Sequence, residues 1–220
     1  MQWFVEATGS LRSATGKPAK LHGIPHELGS TGFGLAHSTK IAANLIGLPL
    51  NKATVAIHGF GNVGSFTAKY LKVMGAKIVA VATKEGAVYK GKKISHADFW
   101  KVPVDILIPA SVTDVINNSN KNDIKAKLIV EGGNIPMQEK IEAELFKKGI
   151  LIVPDFVANA GGVISSYAEY RGYSAKKMFE TVKTKIAKST QMVLERALQE
   201  RVNPRTVALQ IAKEQLLHAS

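Results

Sequence analysis

The sequence has no cysteine, few aromatic residues and no long apolar run, and each absence excludes a class of protein. Without cysteine, the 220-residue chain can form neither disulfide bonds nor thiolate-based sites, which fits a cytoplasmic protein. No run of about 18 apolar residues occurs, so no membrane-spanning helix is predicted. The N-terminus also lacks the basic start and apolar middle of a secretory signal. We therefore predict no association with a membrane.

Acidic residues are scarce relative to basic ones, at 17 Asp and Glu against 29 Lys and Arg, which gives a net charge of +12. Such an excess is compatible with a nucleic acid, an anionic ligand or an acidic partner surface. The basic residues are mostly scattered lysines, as on a solvated helix surface, and aromatic residues do not alternate with them. We therefore predict no nucleic-acid partner. A hydrophobic content of 45% is sufficient for a sizeable core.

Residues 55–64, Val-Ala-Ile-His-Gly-Phe-Gly-Asn-Val-Gly, combine an apolar strand with the spacing G-x-G-x-x-G and a following helical pattern. This arrangement is typical of a dinucleotide-binding turn. Gly59 would permit the sharp turn, Gly61 would let the backbone approach a pyrophosphate, and Gly64 would let the helix pack closely. The unpaired N–H groups at the helix start would face the phosphates.

Short apolar strands alternate with helical patterns along the rest of the chain, which predicts a parallel sheet covered on both faces. Strands are predicted at 55–57, 77–82, 106–108, 128–130 and 150–153, with a hairpin at 89–94. Helices are predicted at 31–46, 62–74, 113–118, 138–148 and 163–171, from Ser174 onward, and at 206–217. The fold class is α/β: one doubly wound, Rossmann-type, mostly parallel sheet with extra helices at both ends. We interpret 1–220 as a single dinucleotide-binding domain, with a connecting segment at 1–30 and a C-terminal helix within 201–220.

The end of the second predicted strand bears on the choice of cofactor. A carboxylate at this position would bind the adenosine ribose diol of NAD, whereas Thr83 and Lys84 occupy it and Glu85 follows one place later. A hydroxyl and an ammonium group favour the 2′-phosphate of NADP. The alternative is that Lys84 is solvated and Glu85 turns to the ribose of NAD. NADP is the preferred prediction.

Several ordered motifs together resemble the nucleotide-binding domain of the glutamate/leucine/phenylalanine/valine dehydrogenases, and most of all the glutamate-specific members. The motifs are T-G-K-P at 15–18, S-T-G-F-G at 30–34, G-F-G-N-V-G at 59–64, D-I-L-I-P-A at 105–110, E-G-G-N-I-P at 131–136, P-D-F-V-A-N-A-G-G-V at 154–163 and S-Y-A-E at 166–169. They extend over nearly the whole chain. The resemblance implies an NAD(P)-dependent oxidative deamination of L-glutamate to 2-oxoglutarate and ammonia.

The resemblance also implies roles for single residues. Thr31 and Asn62 would hold the nicotinamide half of the cofactor, Asn159 would lie beside nicotinamide and substrate, and Ser166 would bind the side-chain carboxylate of the substrate. Each has a structural alternative: Thr31 could cap its helix, Asn62 could stabilise the turn, and Ser166 could be a small packing residue. The candidate cofactor-binding residues are Thr31, Gly59, Gly61, Asn62, Val63, Gly64, Thr83, Lys84, Ala110, Ser111, Asn134 and Asn159.

Two departures from the family pattern qualify these expectations. His58 stands where the family usually has Gln, and we interpret it as a packing or hydrogen-bonding variant rather than a catalytic base. The family's catalytic lysine and proton-carrying aspartate lie in an N-terminal substrate domain, whose motifs do not occur here. No catalytic residue and no metal ligand is therefore assigned. We expect this chain to bind dinucleotide weakly and to be inactive alone, and the whole enzyme to be a homo-oligomer, often a hexamer.

Two other functions remain open from the sequence. The chain could be a stand-alone dinucleotide-binding or regulatory module, or it could belong to an enzyme acting on leucine, valine or phenylalanine. The hydroxyl of Ser166 argues against the second, because the branched-chain enzymes of the family have an apolar residue there.

Overall fold

Seven strands form one sheet, with nine α-helices packed around it, in residues 1–217 of the computed structural model. The structure describes these residues apart from the side chain of His26. The strands are β1 Thr54–His58, β2 Lys77–Thr83, β3 Gly86–Tyr89, β4 Lys92–Ile94, β5 Ile106–Pro109, β6 Leu128–Val130 and β7 Leu151–Val153. The α-helices are α1 Gln2–Thr8, α2 Ser30–Leu45, α3 Asn62–Val73, α4 His96–Phe99, α5 Glu139–Lys147, α6 Asp155–Ala158, α7 Gly161–Tyr170, α8 Ala175–Glu200 and α9 Pro204–Leu217.

The sheet order is β4-β3-β2-β1-β5-β6-β7. Strands β2, β1, β5, β6 and β7 are parallel, and β3 and β4 form an antiparallel hairpin at one edge. The predicted α/β class, the parallel strands and the hairpin are therefore confirmed. The C-terminal helix ends the described part of the chain, and residues 218–220 of the predicted segment 201–220 lie outside it.

Alternate side chains of each parallel strand enter two different cores. Val55 and Ile57 of β1 pack with α2, α3, α8 and α9 on one face, whereas Ala56 faces the other core together with α4 and α5. The same alternation occurs in β5, where Leu107 points away from its two neighbours. Because side chains alternate along a strand and helices cover both faces, residues 55–57 of β1 and 106–109 of β5 are all apolar and buried.

The helical prediction at 113–118 is wrong. Asp114 has a φ of +54°, and the backbone N–H groups of Asp114 and Ile116 donate to the carbonyls of Ile135 and Pro136 (3.0 and 2.9 Å) instead of within a helical turn. The side chain of Asn120 accepts from the N–H of residue 117 (2.9 Å) and donates to the carbonyl of residue 115 (2.9 Å). Asn and Asp side chains compete in this way with helical hydrogen bonds, and here they win.

The predicted connecting segment 1–30 contains α1 and two short 3-10 turns. Val5 is buried, but Trp3 and Phe4 of the same helix are exposed. Lys17 is the unexpected feature, since it is only 3% exposed and pairs with the carboxylate of Glu169 in α7. The segment is therefore tied to the domain by a buried ion pair and not by turns alone.

Candidate functional site

The order in which successive strands are added to the sheet reverses at β1, which lies between β2 and β5. The chain leaves β1 through α3 to β2 on one side, and later returns to β5 on the other side. In open α/β sheets, ligands bind beyond the carboxyl ends of the strands at such a switch point. The turn at 59–64 follows β1 directly, so the sequence motif lies at the place where the topology predicts a site.

The three glycines of this turn meet three different steric demands. Gly59 has a φ of +93°, and a Cβ there would lie 2.6 Å from the carbonyl oxygen of Ala110. A Cβ on Gly64 would lie 2.0 Å from the carbonyl oxygen of Gly59, because the first turn of α3 packs directly against the turn. Gly61 differs: a Cβ there would meet no atom of the described residues within 4 Å beyond its chain neighbours. The space over Gly61 is therefore open.

A cleft of about 480 Å³ lies beside the turn. Seven of the predicted site residues line it: Thr31, Val63, Ala110, Ser111, Asn134, Asn159 and Ser166. Gly132, Gly133, Gly162 and Val163 line it as well. Val63 and Ser111 connect the cleft to the turn that contains Gly59, Gly61, Asn62 and Gly64.

Two asparagines close one side of the cleft. The Nδ2 group of Asn159 donates to Oδ1 of Asn134 at 2.9 Å, and the backbone N–H of Asn159 donates to the carbonyl of Asp155 at 2.7 Å. The side-chain amide of Asn159 is thus held by Asn134 and its backbone by Asp155, which fixes the position of this residue in the cleft lining.

The starts of α2 and α7 meet on the opposite side. A Cβ on Gly161 would lie 2.5 Å from the carbonyl of Ser30, and one on Gly162 would lie 2.9 Å from the hydroxyl of Thr31. Glycine at both positions lets the two helix ends approach each other. Thr31 does not cap α2, because Gly29 is the N-cap residue and no side chain bonds to that end. Thr31 and Ser166 therefore place hydroxyl groups in the cleft lining.

His58 supports the cleft from behind. Its Nδ1 is 2.8 Å from the hydroxyl of Ser111, and its ring stacks on Trp100 with centroids 4.8 Å apart and contacts the edge of Phe99. Burial, and then the nearby charge of His96, lower the pKa of His58 to about 4. The ring is neutral at pH 7, which agrees with the interpretation of His58 as a packing and hydrogen-bonding residue.

We expect His58 to lower the stability of the domain as the pH falls from 6.5 to 4. The pKa of His58 is 6.5 when unfolded and about 4 when folded, so the unfolded chain binds more protons across this interval and stability falls as the pH falls. His37 acts in the same direction, because burial, Lys183 and Lys40 lower its pKa to about 4. Since both rings are partly exposed, each contributes about 1 kcal/mol.

Urea unfolding of the His58→Gln variant at pH 7.5 and pH 4.5 checks this expectation. Glutamine keeps a hydrogen-bonding group near Ser111 and cannot titrate, so the difference between the two pH values shrinks by about 1 kcal/mol. An unchanged difference would show that His58 does not contribute to the acid sensitivity.

Comparison with known proteins identifies the family. The chain matches the family model described as glutamate/leucine/phenylalanine/valine dehydrogenase over residues 23–96 and 90–220. The chain belongs to this dehydrogenase family. It is 40% identical over 200 residues to the NADP-specific glutamate dehydrogenase of Saccharolobus shibatae, covering 77% of this chain and 47% of that protein. It is 32% identical over 223 residues to the NAD-specific glutamate dehydrogenase of Staphylococcus aureus, covering 88% of this chain and 54% of that one.

Among solved structures, the chain resembles hetero-hexameric glutamate dehydrogenase from Thermus thermophilus in its leucine-bound form. The TM-score is 0.90 at 26% identity, and the match covers 100% of this chain and 60% of the other. This confirms the Rossmann-type fold of the dehydrogenase family. The chain spans about half the length of the curated relatives described above.

The end of β2 lies outside the cleft lining in this family member. The side chain of Lys84 is 91% exposed, and its ammonium group is 3.8 Å from the carboxylate of Glu85, which is 69% exposed. The hydroxyl of Thr83 accepts from the N–H of Glu85 at 3.2 Å. Neither Lys84 nor Glu85 is held by a buried partner, so both side chains can reach a ligand that extends past β2.

Three glycines that line the cleft were not predicted as site residues. The glycines at 132–133 and 162 line the cleft, and their signal was their place within the E-G-G-N and N-A-G-G motifs.

Within residues 1–217, no group of three or more His, Asp or Glu side chains is arranged to hold a metal ion. None of the helices in that same part of the chain is long and apolar enough to cross a membrane.

Proposed function

We propose that this chain is the nucleotide-binding part of an NAD(P)-dependent glutamate dehydrogenase. The observation that carries the proposal is the open space over Gly61, at the start of α3 and beside the polar cleft. With no side chain at Gly61, a pyrophosphate could approach the backbone there and would face the N–H groups at the start of α3. The names of the relatives support a nicotinamide dinucleotide as the ligand.

Different residues of the cleft and of the turn beside it would hold different parts of the cofactor and the substrate. Gly59, Gly61, Val63 and Gly64 would present the backbone to the pyrophosphate, and Asn62 would help to hold the nicotinamide half of the cofactor. The bound nicotinamide would supply a hydride acceptor for the oxidation of the amino acid.

Ala110, Ser111 and Asn134 would contact the cofactor along the strand ends. Thr31 and Asn159 would orient its nicotinamide half from opposite sides of the cleft.

Ser166 carries the proposed preference for glutamate. Its hydroxyl lines the cleft on α7, where it would donate a hydrogen bond to the side-chain carboxylate of the substrate. An enzyme for leucine, valine or phenylalanine would have no use for a donor at this place, and would leave it unpaired once the cleft is closed.

The proposed reaction needs groups beyond those assigned here. Oxidative deamination requires a base or ammonium group to activate water and polarise the carbonyl, together with a proton carrier. No residue of the cleft lining has that chemistry, since the lining consists of hydroxyl, amide, aliphatic and glycine residues. We propose that the 220-residue chain alone binds dinucleotide without turnover, and that the whole enzyme is an oligomer. Glutamate-dependent formation of NADPH by the pure chain would contradict the first part.

We also propose that NADPH is preferred to NADH, because the exposed ammonium of Lys84 at the end of β2 can pair with a 2′-phosphate. Titration of the chain with each cofactor at low salt, followed by nicotinamide fluorescence, measures the two affinities. Lys84→Ala is expected to weaken NADPH binding about fivefold and to leave NADH binding unchanged, as suits one exposed charged contact.

Lys72→Ala is the matched control. It removes the same charge from the exposed far end of α3, away from the turn, and no change in either affinity is expected. A preference for NADH that Glu85→Gln abolishes would instead assign the ribose contact to Glu85. Binding of neither cofactor to the wild-type chain would contradict the proposed site.

A further inference from the structure

One guanidinium group from the C-terminal helix joins three carboxylates behind the cleft. Arg205 of α9 donates from Nη2 to Oε2 of Glu131 at 2.8 Å and to Oδ1 of Asp155 at 3.1 Å, and from Nε to Oε2 of Glu142 at 2.5 Å. The side chain of Arg205 is 13% exposed, and Phe156 covers it with a ring 5.3 Å from the guanidinium carbon. The end of β6, α5, α6 and α9 therefore converge on one mostly buried cation.

Two of these carboxylates hold the loop that lines the cleft. Oε2 of Glu131 accepts the backbone N–H of Asp155 at 2.8 Å, and Oδ2 of Asp155 accepts the backbone N–H of Ile135 at 2.8 Å. The cleft residues 132–134 lie between Glu131 and Ile135. Ile135 has a φ of +48°, which is rare for a β-branched residue and costs free energy, so the contact from Asp155 helps to hold a strained backbone.

The same cluster is also linked to Asn159, through the backbone of Asp155. The carbonyl of Asp155 accepts the N–H of Asn159, whose side chain bonds to that of Asn134. Both walls of this side of the cleft thus depend on the position of Asp155. Arg205 is the cation that holds Asp155 in place.

The cluster is electrostatically unbalanced, with three carboxylates around one guanidinium. Oε1 of Glu131 and Oε1 of Glu142 are buried without a hydrogen-bond partner among residues 1–217. Burial, and then the charge of Glu142, raise the pKa of Glu131 well above its usual value, and burial also raises that of Glu142. Removing the guanidinium would leave mutually repelling, desolvated carboxylates, which relax by taking up a proton or by moving the segments that carry them, and either change breaks the present set of contacts.

We propose that Arg205 is a positioning residue for dinucleotide binding, which holds Glu131 and Asp155 so that the loop 132–135 and Asn159 keep the shape of the cleft. The inference rests on the proposed function for the identity of the ligand. Its structural half concerns the loop alone and can be measured without any ligand.

The test uses Arg205→Met, which keeps an unbranched chain in place of the arginine stem and removes the guanidinium group with its charge. Hydrogen exchange of the Ile135 amide reports on the contact from Asp155, and NADPH titration reports on the cleft. Arg205→Met is expected to speed the exchange of Ile135 by at least about tenfold and to raise the Kd for NADPH about tenfold, typical of losing a group that orients a direct ligand. Arg205→Lys, which restores the charge but not the fork of donors, is expected to lie between wild type and Arg205→Met.

Val207→Ala is the matched control for a general loss of stability. Val207 is fully buried on the same helix and belongs to the apolar core, not to the cluster. It is expected to lower the Tm while leaving both the Ile135 exchange and the Kd as in wild type. An equal rise of the Kd in Val207→Ala would reduce Arg205 to a merely structural role and overturn the proposal.

Two further outcomes separate the inference from the proposed function. Unchanged exchange of Ile135 in both Arg205 variants would overturn the inference, whatever the cofactor result. Faster exchange in those variants, with no binding of NADPH or NADH to the wild-type chain, would support the loop-holding role of Arg205 and contradict the proposed function.

Discussion

Gly61→Ala is expected to fold like the wild-type chain and to bind no dinucleotide at cofactor concentrations that saturate the wild type. Gly61 has a φ of −74° and a ψ of −155°, an extended conformation without a positive φ, and a Cβ there would meet no described residue within 4 Å beyond its chain neighbours. The added methyl group therefore clashes with no other part of the protein. It would occupy the space that the proposed pyrophosphate needs, so the Kd for NADPH rises by at least about a hundredfold, near the 2.7 kcal/mol cost of severe overpacking.

Gly64→Ala is the matched variant. Its added methyl group is expected to disturb the fold of the turn and not the space for the ligand. A methyl group on Gly64 would lie 2.0 Å from the carbonyl oxygen of Gly59, so the turn and α3 must separate. We expect a loss of about 3 kcal/mol in the free energy of unfolding, together with the loss of binding. Urea unfolding and nicotinamide fluorescence distinguish the two variants. Wild-type affinity in Gly61→Ala would show that the pyrophosphate does not lie over this turn.

Lys17→Met is expected to cost about 3 kcal/mol, because it leaves the carboxylate of Glu169 buried without its cation. Lys17 is 3% exposed, and its ammonium contacts both Glu169 and the carbonyl of Ala14. The same carboxylate accepts the backbone N–H groups of Gly16, Lys17 and Ile24. Burial alone would raise the pKa of Glu169, but the ammonium and these N–H groups outweigh it and lower the pKa.

The loss should release residues 14–24 from α7, and limited proteolysis would detect the release as faster cleavage in that segment. The Tm should fall by about 10 °C for a chain of this length. The double variant Lys17→Met/Glu169→Gln is expected to be more stable than Lys17→Met, since the amide oxygen still accepts N–H groups and no charge stays buried.

Lys177→Met is the control for the loss of one lysine. Its ion pair with Glu180 is 4.0 Å long and well exposed, so a change below about 0.5 kcal/mol is expected. Equal losses in Lys17→Met and Lys177→Met would show that the burial of the Lys17 pair adds nothing to stability.

Local patterns predicted the regular elements because their causes are local. Ser174 accepts from the N–H of Lys177 at 3.3 Å and starts α8, as its capping residue type indicates. The last helix was predicted from residue 206 and begins two residues earlier, at Pro204, since proline suits the first turn of a helix. The error at 113–118 arose where the backbone bonds to residues 135–136, which are distant in sequence.

The candidate site likewise has residues that local motifs predict and residues that only distant contacts reveal. Its glycines and small polar residues are readable from motifs, because close backbone approach and positive φ admit few residue types. The buried lysine was not recognised, because an isolated lysine in a chain of scattered lysines is indistinguishable from a surface one. Arg205 was missed for the same reason, since its three partners lie 50 to 74 residues away.

By itself, the amino-acid sequence determined the class of fold, the alternation of strands and helices, the turn at 59–64 and the family. These follow from hydrophobic period, glycine spacing and ordered motifs, each contained in a few neighbouring residues. Only the tertiary structure decided which charges are buried, that His58 stacks on Trp100 behind Ser111, and that one arginine pairs with three carboxylates from distant parts of the chain. The physical reason is that burial and ion pairing depend on residues that the folded sheet brings together, and no local pattern encodes those distances.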